Sequence, residues 1–484
     1  MGGVSGLGFW WRSGVLAVLC IAALPSILGV TVRPAVAEEG LTSSQKLAFD
    51  VYKELVEINT VTATGDTAKA AEAMGARLRA AGFAEDDVHV FSPAPHKGNL
   101  VARLRGTGAR KPILLVAHID VVPASREDWS MDPFKLIEQD GFFYGRGSGD
   151  DKYMAASFIA NLIRYKQEGY KPERDIIVAL ETDEEILDHD ALGIRWLLKN
   201  HRDLIDAEFA LNEGGGVGLK DGKPIRNSVQ TSEKVSLSYA LTVKNKGGHS
   251  ALPVRDNAIY RLAAGLTRLA AFSFPVNLNE TTRAYFERTA QMEGGPLADD
   301  LRAVLSGQTD PASAPVMRLS ANPAYNAQLR TTCVATMLEG GSAVNALPQL
   351  ATAKVNCRIM PGEPVDDVKA TLERVLADDQ IVVTQIDQPT LSVPSALSDN
   401  IMGPITKLSA EFWPGAVVLP IMSAGATDGS HLRNAGIPTY GHSGLAGDVR
   451  EFRAHGQDER ILVKSFFEGD EYLYRLVKAL SGGQ

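Results

Sequence analysis

Leu47, Val51, Leu55 and Ile58 recur at three- and four-residue spacing, and the segment from Ser43 to Ala81 therefore predicts helices. Beyond it the pattern alternates. Apolar runs in "NLVARLRG" (99–106) and "PILLVAHIDVV" (112–122) predict strands, and "KYMAASFIANLIRYKQEG" (152–169) predicts a helix. "DIIVALETDEE" (175–185) then reads as a strand, "IRWLLKNH" (194–201) as a helix and "AEFALNEGG" (207–215) as a strand. This order predicts an α/β layered domain with a mostly parallel sheet, whose ligand site lies beyond the carboxyl ends of the strands.

After about Thr231 the texture changes. "KVSLSYALTVKNK" alternates, a helix follows over 257–272, and then come "TTCVATMLEG", "LATAKVNCRIMPG", a helix over 365–378 and "IVVTQI". Strand, helix, two strands, helix, strand is the split βαβ order of a small α+β unit, ferredoxin-like in plan. A polar, Pro- and Gly-punctuated segment from Ser273 to about Gln328 reads as a partly helical insertion within it. From Ser395 the α/β texture resumes. The expected organisation is a first catalytic segment 43–230, an inserted lid 231–394 and a second catalytic segment 395–484.

The 484 residues are enough for two or three domains, and 45% hydrophobic with 22% charged residues excludes a disordered chain. The N-terminus differs in kind. Arg12 precedes "GVLAVLCIAALPSILGVTV", and "AVA" at Ala35–Ala37 is followed by Glu38 and Glu39, the pattern of a signal peptide cleaved after Ala37. An uncleaved membrane anchor is the alternative, because the apolar stretch approaches the ~18 residues a span needs. Export to the periplasm or the medium is expected, with no stable membrane insertion after cleavage. Removing the leader takes Arg12 and Arg33 and moves the formal charge from −9 to −11, which argues against nucleic acid as a partner. Of the three cysteines, Cys20 lies in the leader. Cys333 and Cys357 are expected as two buried thiols, with a disulfide as the alternative that export permits.

Acidic and imidazole residues cluster where the strands should end: His118 and Asp120, Asp150 and Asp151 in "YGRGSGDDK", Glu184 and Glu185 in "ETDEE", Glu213 in "LNEGG". One crevice would collect them, and so many carboxylates cannot all ionise together without a cation. Oxygen and imidazole donors without thiolate point to zinc or a similar divalent ion, and their number to two ions bridged by one carboxylate. Asp120 would orient His118 through the ring nitrogen that does not bind metal.

The ordered set "LLVAHIDVVP" with "DWSMDPF", "DGFFYGRGSGDDK", "TDEE", "NEGG", "KGGHSALP", "GGSAVNALP" and "GATDGSHLRNAGIPTYG" resembles the co-catalytic di-zinc peptidases from Ser44 to the C-terminus. That family includes aminoacylase, acetylornithine deacetylase, carboxypeptidase G and carboxypeptidase S, and the carboxypeptidase S branch looks nearest. The resemblance implies two zinc ions, with cobalt or manganese as substitutes. His118 and Glu213 would bind one ion, Asp150 would bridge, and Glu185 would bind the other with a late histidine. Asp150 is chosen over Asp151 because it stands two positions before Lys152, and the family's cis peptide is expected between Asp150 and Asp151. Of His431, His442 and His455, only His455 stands four residues before a glutamate, Glu459. Glu184 fits the general base. By the same resemblance His249 would stabilise the oxyanion, Asn345 and Arg358 would hold the substrate carboxylate, and Gly425 and Thr427 would face substrate. Lid closure is expected to bring His249 and Arg358 onto a bound ligand.

Two departures border the site: Tyr153 follows Lys152 where relatives have glycine, and "ILDHD" follows "TDEE". Both are expected to bear on substrate shape. Glutamate at 213 favours hydrolysis beside a free carboxylate, of a small peptide or an N-acyl amino acid, over a dipeptidase. A non-catalytic binding protein on this fold is the third reading, opposed by the complete ligand set. The long insertion is placed to cap the lid edge through which relatives dimerise, which leaves monomer and homodimer both open.

Overall fold

The computed structural model describes residues 40–186, 191–451 and 453–483. The expected leader and most of the "ILDHD" departure lie outside these residues. Among the described residues no helix is long and apolar enough to cross a membrane.

The larger body is built on a ten-stranded sheet. Across it run Val88–Ala94, Lys97–Leu104, Ile176–Glu181, Ile113–His118, Phe209–Asn212, Thr439–Gly441, Lys223–Glu233, Val217–Lys220 and Ala446–Asp448, with Val417–Ser423 also paired to Lys223–Glu233. From Ile176–Glu181 to Thr439–Gly441 the strands are parallel, and the first two strands are antiparallel. All six residues of Ile113–His118 and all six of Ile176–Glu181 are buried, as continuous apolar runs require in a sheet covered on both faces. The two-residue side-chain period divides them between two cores. Leu115 and Ala117 join a core with helices Ser43–Glu57, Lys152–Glu168 and Val463–Ser481, whereas Leu114 and Val116 pack with Ile194, Leu197 and Leu432 on the other face. Thr42 and Gln45 close a capping box at the start of Ser43–Glu57, which sets where this layer begins.

The inserted unit has the expected topology. Thr332–Gly340, Leu350–Ile359, Val235–Lys244 and Val382–Gln385 form an antiparallel sheet in that order, with helices Ala258–Ala271 and Val365–Leu376 closing its core. Val235, Leu237, Tyr239, Leu241 and Val243 are buried and their alternates are not, the alternation of a sheet with one covered face. Only Lys234 separates Lys223–Glu233 of the large sheet from Val235–Lys244 of the lid. Its buried ammonium donates to the Arg330 carbonyl at 2.6 Å, and burial, with Arg358 and Arg330 nearby, lowers its pKa to about 7.

Two expectations are corrected here. Cys333 and Cys357 are not free thiols: the strand register sets them directly opposite one another, with Cα atoms 4.0 Å apart, and they form a disulfide. The insertion also does not cap the lid edge. It folds into helices Glu280–Met292, Gly295–Leu305, Ala314–Ser320 and Pro323–Leu329 around Phe286, Leu301 and Val316, and it packs against Val417–Ser423 of the large sheet. Gln328 Nε2 donates to the Met422 carbonyl at 2.7 Å across that contact. Among the described residues Thr332–Gly340 remains an open edge, with Val334 61% and Leu338 66% exposed.

Candidate metal centre

Because the central strands are parallel, their carboxyl ends open on one side of the sheet. His118 ends its strand and pairs in register with Glu181, which ends the neighbouring one. Glu184 and Glu185 follow Glu181 in the next loop, and Glu213 directly follows Phe209–Asn212. Asp150 precedes helix Lys152–Glu168, and the peptide between Asp150 and Asp151 is cis, as expected.

Asp150 stands between two histidines. Its Oδ1 lies 3.0 Å from His118 Nε2, and its Oδ2 lies 3.2 Å from His455 Nε2. His455 Nε2 is in turn 3.0 Å from Glu185 Oε1. Two donor groups share Asp150: His118, Asp150 and Glu213, and Asp150, Glu185 and His455, each with its ligand atoms within 4.8 Å of one another. Donor atoms about 2.0 Å from one tetrahedral ion would stand roughly 3.3 Å apart, so these spacings suit a divalent metal in each group.

The electrostatics point the same way. Burial raises the pKa of Glu213, and the neighbouring charges of Glu184 and Asp150 add to it. Glu184 is raised by burial and by Asp428 and Glu185, and Glu185 is raised by burial and by Asp150. Burial alone would raise Asp150 and lower His118, but Asp120 and then Asp150 hold His118 up, while His118 and His455 hold Asp150 down. His455 is pushed up to about 9, first by its bond to Asp150. A site whose carboxylates press each other toward protonation while its imidazoles hold protons is one that cations would neutralise.

Asp120 requires a correction. The His118 Nδ1 hydrogen bond goes to the Asp120 backbone carbonyl at 3.0 Å, and the carboxylate stands 3.7 Å from that nitrogen. The carboxylate instead accepts from the Glu184 N–H and the Glu185 N–H, each at 3.2 Å. Asp120 thus orients the histidine with its main chain and the paired glutamates with its side chain.

The other candidates divide. His442 is buried against the Ser228 carbonyl at 2.9 Å and the Tyr472 hydroxyl at 2.6 Å, a core position. Burial lowers His431 to about 4. Thr427 donates its hydroxyl and its N–H to Glu233, both at 2.8 Å, so both groups are engaged by a buried carboxylate that also pairs with Arg433. Gly425 is exposed in the same loop. In the lid, His249 pairs with Ala346 and the Ser250 N–H reaches the Asn345 carbonyl at 3.0 Å, so His249 and Asn345 share one exposed ribbon. Arg358 Nε donates to Asn356 Oδ1 at 3.2 Å. Tyr153 is buried, with its hydroxyl 3.3 Å from the Ser443 carbonyl, and shapes the core rather than the substrate space.

Sequence reasoning left two features unassigned. Glu181 and Asp428 form a buried carboxyl pair, in which burial and then Asp428 raise Glu181 while burial pushes Asp428 up to about 6. Asp428 was in view within "GATDG", but its partner is a strand-end residue far away in sequence. Glu459, used only as a spacing mark for His455, is buried against the loop that carries Asp150.

The pattern of Peptidase family M20/M25/M40 matches residues 114–479. The N-fatty-acyl-amino acid synthase/hydrolase PM20D1 of Homo sapiens is 30% identical over 382 residues, covering 76% of this chain and 74% of that protein. The probable carboxypeptidase S-like 2 of Dictyostelium discoideum is 30% identical over 379 residues, covering 76% and 71%. The M20 family metallo-carboxypeptidase Sso-CP2 from Sulfolobus solfataricus shares the fold, with a TM-score of 0.66 at 18% identity over 90% of this chain and 99% of that one.

Proposed function

The chain belongs to the M20/M25/M40 peptidase family and is a metal-dependent amidohydrolase of that kind; from that premise we propose that it cleaves an amide bond beside a free carboxylate. The substrate is then a small peptide with a free C-terminus or an N-acyl amino acid. The observation that carries this reading is Asp150, with one oxygen turned to each histidine. His118, Asp150 and Glu213 would hold one zinc ion, and Asp150, Glu185 and His455 the other. When bound, the two ions would polarise the scissile carbonyl and acidify the attacking water.

Glu184 takes the proton of that water and delivers it to the leaving amine. It can do so because Asp120 holds its main chain while Glu185, beside it, faces His455. A ligand and a free base are thereby separated on adjacent residues. Arg358 and Asn345 hold the substrate carboxylate, with the guanidinium able to make a bidentate contact. His249 donates to the developing oxyanion once the lid closes. Export to the periplasm or medium is supported by the leader pattern of residues 1–37. A homodimer through the lid is supported by the open, apolar edge Thr332–Gly340.

The test is hydrolysis by the mature, zinc-reconstituted protein of three paired substrate sets, with Glu184→Ala as control. These are N-acyl amino acids, blocked dipeptides with free C-termini, and free dipeptides. Turnover of either blocked set supports the proposal. Turnover of free dipeptides alone contradicts the assignment to carboxypeptidase or N-acyl-amino-acid substrates and makes the protein a dipeptidase of the same chemistry, one that requires a free amine as well.

A further inference from the structure

We propose that Glu459 is a positioning residue for the second metal position, the one formed by Asp150, Glu185 and His455; this rests on the reading of the site given above. Its carboxylate is buried and receives four donors. Oε1 accepts from the Gly149 N–H at 2.9 Å and the Asp150 N–H at 3.2 Å, while Oε2 accepts from the Gly147 N–H at 3.1 Å and Arg146 Nη1 at 2.7 Å. An ionised carboxylate offers about four acceptor sites, and here each has a donor. An ion pair alone would need only the guanidinium. Three backbone N–H groups from the loop that carries Asp150 make this a device for orienting that loop. Gly147 has a φ of 79°, a conformation that favours glycine.

The same residue anchors the other ligand segment. Its own N-terminal side carries His455, and the two loops are laced together twice more: Gly145 N–H donates to the Glu459 carbonyl at 3.1 Å, and Arg146 Nη2 donates to the Gly456 carbonyl at 3.0 Å. The Arg146 guanidinium also lies over the Trp129 ring at 5.1 Å, and the Ser130 N–H donates to Asp458 Oδ1 at 3.0 Å.

His455 needs such anchoring. It lies outside any helix or strand, and both it and Asp458 have positive φ, 63° and 50°, where non-glycine residues are held only by their surroundings. His118 ends a strand paired on both sides, and Glu213 follows one directly. The two metal positions are thus held by different means: the first mainly by the sheet, the second by a loop-to-loop clamp centred on Glu459. Loosening the clamp displaces both His455 and Asp150: the second position then loses its hold on two of its three ligands, and the first on Asp150 alone, with His118 and Glu213 kept by the sheet.

The experiment measures zinc stoichiometry and stepwise affinity by chelator competition for the wild-type protein, Glu459→Gln and Glu459→Asp, with cobalt absorption spectra of the same samples. The expected result is two ions in the wild type. In Glu459→Gln one ion should weaken by about 10–100-fold, the range for supports of ligand residues, and the other by clearly less. Glu459→Asp keeps the charge that faces Arg146, so it decides the matter if Glu459→Gln does not fold; it should show the same selective loss, smaller in size. Folded variants that keep both ions at wild-type affinity, or that lose both equally, overturn the proposal. A wild-type protein that binds fewer than two ions overturns the reading of the site itself.

Discussion

His118 and His249 are both expected at the chemistry, and the protein holds them in opposite ways. His118 is buried at the end of a strand paired on both sides, with its two ring nitrogens at the Asp120 carbonyl and Asp150. His249 is exposed on a two-residue ribbon, and its Nδ1 accepts from the Ala251 N–H at 3.0 Å. The metal half of the site is assembled before any ligand arrives. The lid half is a set of exposed groups, whose proposed roles call for lid closure or a second copy. Rigid support suits metal binding, where small displacements are costly, and mobile support suits groups that must admit and release substrate.

The comparison can be broken by substitutions on each side. The largest effect is expected for Glu184→Ala, which should lower kcat by about 10²–10⁴-fold with both metals still bound; metal analysis and steady-state kinetics on one sample check this. Loss of metal would show that Glu184 is a ligand. His249→Ala should cost about 10²–10³-fold in kcat, the scale of a lost oxyanion donor, with no change in metal content. Unchanged kcat would confine His249 to the surface. Leu338→Glu, on the open lid edge, should convert a dimer to monomers in sedimentation while changing stability by only about 0.5 kcal/mol. A wild-type protein already monomeric would remove the assigned role of that edge.

A further effect, on stability rather than turnover, concerns pH. Burial depresses the His442 pKa to about 4 from its ordinary 6.5. Between those values the unfolded chain binds a proton that the folded chain refuses, so this stability is complete above about pH 6.5 and drains away as pH falls toward 4. The contribution is at most roughly 3 kcal/mol. His442→Asn should flatten the fall of stability over that window in denaturant titrations, and an unaltered slope would place the effect elsewhere.

Much of the metal half was legible because it is written in local patterns. A β-branched run interrupted by His118 and Asp120 marks a strand whose end needs a reason for polar residues, and the same logic exposes Glu184, Glu185 and Glu213. The lid topology was legible because Val235–Lys244 alternates and the helices at 258–271 and 365–376 carry apolar stripes. What was missed depends on contacts between distant segments. Strand Lys223–Glu233 begins with a charged and polar stretch, so its pairing with Val417–Ser423 left no clear period to read. The Cys333–Cys357 bond follows from strand register, which composition does not reveal. Asp120 orients His118 with its main-chain carbonyl, a contact that no side-chain pattern encodes. Glu459 receives N–H groups from about 310 positions away, so only its spacing from His455 was visible.

The hydrolysis proposed above requires two divalent ions that share Asp150, with Glu184 as base. Its most direct test is stepwise zinc titration of the metal-free protein, following hydrolysis of the best substrate from the panel beside direct zinc content. Turnover should be absent without metal and reach its plateau at two ions per chain, with Glu184→Ala slower by about 10²–10⁴-fold at the same occupancy. Turnover by the metal-free protein, or near-wild-type turnover by Glu184→Ala at full occupancy, would contradict it.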